Sequence, residues 1–294
     1  MTPPGDGENS VTMPAQVLPS MGDSPGAKRK SALRVLSFPD TRSSTMISVV
    51  TVVVLLVLWW VATERAWLPP LFLPSPESIV RRFLEATKGD VGGTTLAGHF
   101  WWSMFRVFSA FGLACVTAVP IGIAMGVNRY MRGIFDPPIE FYRPLPPLSY
   151  LPLVVIWFGI DEASKIILIY LACFAPLALS ARAGVRSVSI EQIHAAYSMG
   201  ATRRQVVCHV VLPAALPEIL TGMRIAIGFG WTTLVAAEMV AANAGLGQMV
   251  LNASNFLRTD IVVMGIIVIG IVAYAFDLLM RFAEKALVPW KGRI

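Results

Sequence analysis

Residues 194–222 read HAAYSMGATRRQVVCHVVLPAALPEILTG and set Arg203, Arg204, His194 and His209 between very apolar runs. Two positive charges near the start of a helix oppose its macrodipole by about 0.3–1 kcal/mol each, so something else must recruit them, either phospholipid or a protein surface. A second polar pair lies in the next apolar run. There Arg224 and Glu238 are spaced to fall about 21 Å apart along a helix and nearly on one face. An ionisable residue inside such a run is by default a functional candidate. Glu238 has two readings, one as part of a solute path with Trp231, Thr232 and Thr233, the other as a partner for a neighbouring helix. The threonines supply hydroxyl donors to a polar solute, whereas a bare carboxylate repels an anion. The structural reading of Glu238 is therefore the stronger.

Other chemistries find little support. His99, His194 and His209 lack metal-ligand spacing, and Cys115, Cys173 and Cys208 form neither a disulfide framework nor a zinc motif, so no metal is expected. No G-x4-G-K-[ST] phosphate loop occurs in the sequence, which leaves the chain without an evident nucleotide site.

The elements that must position these residues are membrane helices. Of 294 residues, 55% are hydrophobic and 14% charged, well below the roughly 25% charge usual for soluble domains. The net charge of +6 suits cytoplasmic loops as well as it suits nucleic acid, and the positions decide for loops. Six spans are predicted at residues 45–63, 105–127, 139–160, 164–181, 223–242 and 261–282. The first is a retained helix rather than a signal peptide, whose apolar core is shorter and nearer the start. The third opens on PPIEFYRPLPPLSYLP, where prolines together with Glu140 and Arg143 predict a bent or partly re-entrant beginning.

With the N-terminus inside, most Lys and Arg fall on the inner side, while Arg65, Arg81, Arg82, Lys88, Lys165 and Arg258 fall outside. Both termini and residues 182–222 are thus expected in the cytoplasm. Residues 1–44, rich in Pro, Gly and Ser, read as a disordered tail. Residues 45–104 comprise the first span and an external segment, in which Ser75-Pro76-Glu77 predicts the start of an interfacial helix. Residues 105–294 form the core. In the second span Gly122 and Gly126 have the spacing that lets helices approach closely. Ser189 with Gln192, and Thr202 with Gln205, have the spacing of capping boxes. Gly200 between them suits a left-handed turn, Ala195, Ala196 and Met199 make a small apolar face, and Pro213 is expected to end the second helix.

Ala195-Ala196, Gly200 after three residues, and Val210-Val211-Leu212-Pro213 after nine more resemble the E-A-A-x3-G-x9-I-x-L-P loop of binding-protein-dependent ABC importer permeases. His194 stands where that pattern has Glu, and Val210 where it has Ile. The segments LPPLFLPSPESI, DPPIEFYRPLPPLSYLPLVVIWFGIDEASKI and LPAALPEILTGMRIAIGFGWTTLVAAEMVAANAGLGQMV resemble the taurine, alkanesulfonate and nitrate branch, nearest to its taurine-transporting members. The resemblance covers about residues 69–294. It implies an all-α transmembrane protein of the type I ABC importer permease fold, with about six membrane-spanning helices and a cytoplasmic coupling helix. His194, Ala195, Ala196, Met199, Gly200, Arg203, Arg204, Leu212 and Pro213 would then couple to an ATPase.

The resemblance further implies a second permease copy, two cytoplasmic ATPase subunits holding ATP and magnesium, and an extracytoplasmic solute-binding protein. The chain itself would be no enzyme, would bind no cofactor, would touch membrane lipid and no nucleic acid, and would reside in the bacterial inner membrane. A small sulfonate such as taurine is the expected cargo, with nitrate, another small anion or a small heterocycle as alternatives. An ion-coupled secondary transporter would want carboxylates near the middle of the membrane. Here Glu238 and Asp277 lie near span ends. A membrane scaffold that recruits a soluble protein is the remaining class.

Overall fold

The computed structural model describes residues 41–289. Most of the expected tail, residues 1–40, lies outside the described residues. Helix α1 spans Thr41–Glu64, so residues 41–44 are helical rather than part of the tail, because a long apolar helix propagates readily into the polar turn before it. The chain divides between Thr51 and Val52, and every later element belongs to the second unit. From Val52 to Leu58 the apolar side chains of α1 are exposed, as a lipid-facing helix requires.

Helix α2, Pro76–Lys88, begins where Ser75 accepts a hydrogen bond from the Ser78 amide, with Pro76 in the first turn as the sequence predicts. A short antiparallel hairpin follows, β1 Asp90–Val91 and β2 Thr94–Thr95. Gly92 and Gly93 both have positive φ, which a two-residue hairpin turn of this hand demands. Helix α3 runs Leu96–Val127 and starts well before the predicted residue 105, because Thr95 accepts from the Gly98 amide and caps it.

The third predicted span is not one helix. It is divided between α4, Arg129–Tyr142, and α5, Pro147–Phe158. Pro144, Pro146 and Pro147 remove amide donors in succession and bias the residues before them toward extended backbone, so the helix must break. At 12 residues, α5 is about 18 Å long, short of the ~30 Å hydrocarbon core. The chain therefore returns between the ends of α3 and α6 in two pieces joined at an angle of loop.

Helix α6, Glu162–Arg186, is the centre of the bundle. It runs parallel to α3, since Arg106 meets Glu162 near one end while Gly122 and Gly126 lie against Ala178, Ala181 and Val185 near the other. It is antiparallel to α9, Leu212–Ala241, with Gly184 against Ala215, Gly222 against Ser180, and Gly230 against Cys173. Both seams are made of small residues, as membrane helix pairs require when no hydrophobic effect drives them together. Leu168, Ile169, Cys173, Leu177, Ala178 and Ala181 on α6 are completely enclosed.

After α6 come α7, Ile190–Ser198, and α8, Arg203–Val206. Pro213 does not end α8, contrary to expectation. A π-helical stretch, Val207–Val211, joins α8 to α9, and Leu212 donates to the Val207 carbonyl five residues back. Widening the turn in this way gives the Pro213 ring room and lets the helix continue. The result is one helical run from Arg203 to Ala241, 39 residues long. Helices α10, Leu246–Asn255, and α11, Thr259–Leu287, complete the fold. Among the described residues five helical runs are long and apolar enough to cross a membrane, those within α1, α3, α6, α8–α9 and α11.

The α3–α6 seam yields a direct test. A Cβ at Gly122 would overlap the Ala178 carbonyl and the Ala181 methyl, whereas one at Gly112 meets nothing within 4 Å. Gly122→Val should lower stability by about 1–3 kcal/mol, the usual cost of overpacking a close contact, and Gly112→Ala should not lower it. Thermal unfolding of the purified proteins in detergent measures both.

Candidate functional site

The turn between α7 and α8 is built by caps. Ser189 accepts from the Gln192 amide and opens α7, but the reciprocal capping box forms only at Thr202 with Gln205. Helix α7 ends at Gly200, whose φ is 83°. The Gly200 amide donates to Tyr197 O and the Ala201 amide to Ala196 O, the paired bonds of a Schellman motif. Ala196 and Ala201 then pack in one apolar cluster with Ala181, Val185, Val206 and Val211. This anchors the turn to the ends of α6 and α9.

The apolar face expected from Ala195, Ala196 and Met199 is split. Ala196 is buried, while Ala195 and Met199 point outward beside His194 and Tyr197, and Met199 is 82% exposed. One turn of helix separates Ala195 from Met199, whereas Ala196 is rotated about 100° toward the core. Arg203, Arg204, Leu212 and Pro213 are also exposed. His194, Ala195, Met199, Gly200, Arg203 and Arg204 thus share one accessible end of the molecule, a surface that an isolated chain would leave in water. Tyr197, which spacing did not single out, joins them.

The opposite end of the bundle carries a buried ion cluster. Arg106 of α3 is 1% exposed. Its Nε and Nη2 donate to the two carboxylate oxygens of Glu162 at 2.5 and 2.8 Å, a bidentate fork. Its Nη1 donates to Glu238 Oε1 at 2.7 Å and to the Ala244 carbonyl at 2.6 Å. Lys165 donates to Glu162 at 2.8 Å. Arg106 and Lys165 balance Glu162 and Glu238, so the group carries no net charge.

Glu238 is completely enclosed and accepts two further bonds, from Ser103 Oγ at 2.7 Å and from the Gly247 amide at 2.9 Å. Ser103 Oγ in turn accepts from the Leu246 amide. Gly245, at φ 142°, passes so close that a Cβ would overlap the Glu238 carboxylate. Its amide donates to His99 Nδ1 at 3.0 Å. The ring proton must then sit on Nε2, which donates to Val91 O at 2.7 Å. Every polar atom of this cluster is thereby spoken for. It ties β1, α3, α6, the end of α9 and the start of α10 together.

Of the residues expected along a solute path, Trp231 and Thr233 are buried with Glu238 and only Thr232 is exposed. The Thr232 hydroxyl donates to the Phe229 carbonyl of its own helix. Arg224 does not face Glu238 as a partner but donates to Asp277 of α11 at 2.7 Å, and Arg281 donates to the other oxygen of that carboxylate. The sequence reading missed Arg106, Glu162, Lys165 and Ser103. The available signal was Arg106 itself, a strong base set in the apolar run of the second span, which must have partners.

Comparison with known proteins gives these two ends a context. The family described as binding-protein-dependent transport system inner membrane component matches residues 118–289. The taurine transport system permease protein TauC of Escherichia coli (strain K12) is 51% identical over 259 residues, 87% of this chain and 94% of that protein. The putative aliphatic sulfonates transport permease protein SsuC of the same organism is 33% identical over 79% of this chain and 87% of that one. A solved chain of the MetNI methionine ABC transporter in an inward facing conformation is similar in fold, with a TM-score of 0.56 and 19% identity over 64% of this chain and 93% of that chain.

The ion cluster makes its own demand on stability. Arg106→Met would leave Glu238 buried with an uncompensated charge, and should destabilise the protein by about 3–5 kcal/mol. The double variant Arg106→Met with Glu238→Met should cost much less than the sum of the two single changes. A double-mutant cycle on unfolding in detergent measures the coupling, and strictly additive costs would show that the two side chains do not act as a pair.

Proposed function

This chain belongs to the family of binding-protein-dependent transport system inner membrane components and is a permease subunit of an ABC importer, a transport component rather than an enzyme; we propose that its cargo is a small sulfonate, taurine in the first place. The observation that carries this reading is the 51% identity across 87% of the chain to a taurine transport permease. Likeness to an aliphatic sulfonate permease at 33% identity keeps the sulfonate group as the common chemistry. Nitrate, another small anion and a small heterocycle are the alternatives.

We infer that the α7–Gly200–α8 turn faces the cytoplasm together with both termini, as the distribution of Lys and Arg supports, and that residues 105–294 are the working core. His194, Ala195, Met199, Gly200, Arg203 and Arg204 would then meet one of two ATPase subunits, which hold ATP and magnesium. Leu212 and Pro213 would set the angle at which the turn leaves α9. A second copy of this chain would complete the path, and an extracytoplasmic binding protein would deliver solute at the end where the ion cluster lies. When nucleotide closes the ATPases, the turns are drawn together, α9 moves with them as one stiff helix, and the bundle opens outward. Hydrolysis returns it inward. Thr232 is the member of the Trp231–Thr233 group with surface to offer a solute, while Glu238 holds the helices that frame the path.

The single helical run from Arg203 to Ala241 supports this mechanism. At 39 residues it is about 58 Å long, nearly twice the hydrocarbon thickness. One end must therefore project beyond the hydrocarbon, and the capped, arginine-bearing α8 end is suited to do so.

Two measurements test the proposal. Reconstituted with its ATPase and binding protein in proteoliposomes, the wild-type chain should import labelled taurine saturably and only with ATP; import of nitrate but of no sulfonate would overturn the cargo. Gly200→Val should abolish ATP-driven uptake while the subunit still inserts and assembles. A Cβ at Gly200 meets nothing within 4 Å, so the change acts through backbone strain at positive φ, about 1–2 kcal/mol, and reshapes the turn alone. Unchanged uptake by this variant would sink the coupling role.

A further inference from the structure

The break between α4 and α5 lines a cavity of about 480 Å³, within the size range of small-molecule sites. Polar groups reach its wall from Tyr142 at the end of α4, Arg143 in the break, Tyr150 of α5, Ala172 and Ser180 of α6, and Glu218 of α9. The wall thus carries one guanidinium, in the break after α4, and one carboxylate, on α9. In contrast to Glu162, Glu238, Asp136, Asp260 and Asp277, each held by an arginine, Glu218 has no ion pair among the described residues. Among the described residues the one ion pair of Arg143 is with Glu140, at 3.7 Å, beyond hydrogen-bond length.

Two more polar groups are unspent. The Tyr142 hydroxyl is buried and has no hydrogen-bond partner among the described residues. Pro176, also on the wall, has no N–H to give the Ala172 carbonyl one turn back, which leaves an acceptor in α6. Around these groups the wall is apolar, with Pro146, Leu171 and Phe229.

We propose that this cavity is a transit site for a small zwitterion, an aminosulfonate, in which Arg143 receives the sulfonate and Glu218, with the Ala172 carbonyl, receives the ammonium. A planar guanidinium pairs two oxygens of such an anion at once. A carboxylate in the same wall attracts a solute that carries its own positive group and repels one that carries only the anion. The cavity therefore selects taurine over a plain alkylsulfonate after the binding protein has released its load. The inference rests on the sulfonate reading of the cargo and adds the requirement for an ammonium.

The test uses the permease–ATPase complex in lipid nanodiscs without binding protein, and saturation-transfer NMR with taurine and with ethanesulfonate, which lacks the ammonium. The wild-type complex should give a taurine signal well above that of ethanesulfonate. Glu218→Gln should cut the taurine signal by about five-fold and bring the two solutes level, as loss of a charge-assisted hydrogen bond predicts. Glu218→Asp should restore the preference in part, and Arg143→Gln should weaken both solutes together. A merely structural role for Glu218 would lower both signals in proportion and leave their ratio untouched, which would overturn the site. Equal signals for the two solutes in the wild type would also overturn it. If the site fails while the complete assembly still imports taurine, the cargo stands without it; if the assembly imports no sulfonate, cargo and site fall together.

Discussion

A guanidinium sealed among helices of an apolar bundle cannot be solvated by water, and its desolvation is repaid only where carboxylates and carbonyls partner each of its nitrogens. Arg106 meets that demand with Glu162 on α6, Glu238 on α9 and the Ala244 carbonyl in the turn after α9. The partners come from elements far apart in sequence, so the arrangement exists only when α3, α6 and α9 are in register. A slide of one helical turn, about 5.4 Å, would strand at least one buried charge. Packing of small residues is permissive by comparison, since alanine and glycine seams tolerate several offsets. The ion cluster thus selects one register from those that the seams permit.

What the seams contribute is closeness. Gly122, Gly126, Gly184, Gly222 and Gly230 each sit where a side chain would meet a neighbouring helix, so α6 approaches α3 on one side and α9 on another. Prolines act in the opposite sense, by interrupting. Pro144, Pro146 and Pro147 divide α4 from α5, yet Pro213 and Pro217 leave the run into α9 unbroken. The difference lies in context. Three prolines within four residues remove several amides in one turn, whereas Pro213, just after a widened π turn, loses one bond and keeps its carbonyl clear.

Much of this could be read from residue types. Long apolar runs gave the positions of α1, α6 and α11 to within a few residues, and the Ser75, Ser189 and Thr202 caps and the Gly200 turn followed from local chemistry that tertiary packing rarely overrides. Helix α3 starts earlier than its apolar run suggests, because Thr95 already caps it. Helix α10 went unrecognised because its ten residues are too few and too mixed to show a period. The cluster around Arg106 was hidden for a different reason. Its members are scattered from His99 to Gly247, and pairing across such separations has no signature in a single sequence. Only the isolated charge in the second span pointed toward it. Ala196 illustrates the same limit at small scale, since it shares a motif with Ala195 yet turns the other way.

One helix links the features described above. The run from Arg203 to Ala241 begins at the exposed turn, passes Glu218 at the cavity, presses Gly222 and Gly230 into α6, holds Asp277 through Arg224, and ends by burying Glu238 against Arg106. Its two ends differ in kind. The Glu238 end is pinned by ions and amides from four other segments, while the Arg203 end rests on one apolar cluster of small side chains. A stiff rod held firmly at one end and lightly at the other responds to a push on the light end by tilting about the firm one. The points along it then move in proportion to their distance from Glu238, so Glu218 shifts by an intermediate amount and Thr232 hardly at all. The cavity beside Glu218, bounded on another side by the break between α4 and α5, is therefore placed where tilting of α9 changes its width.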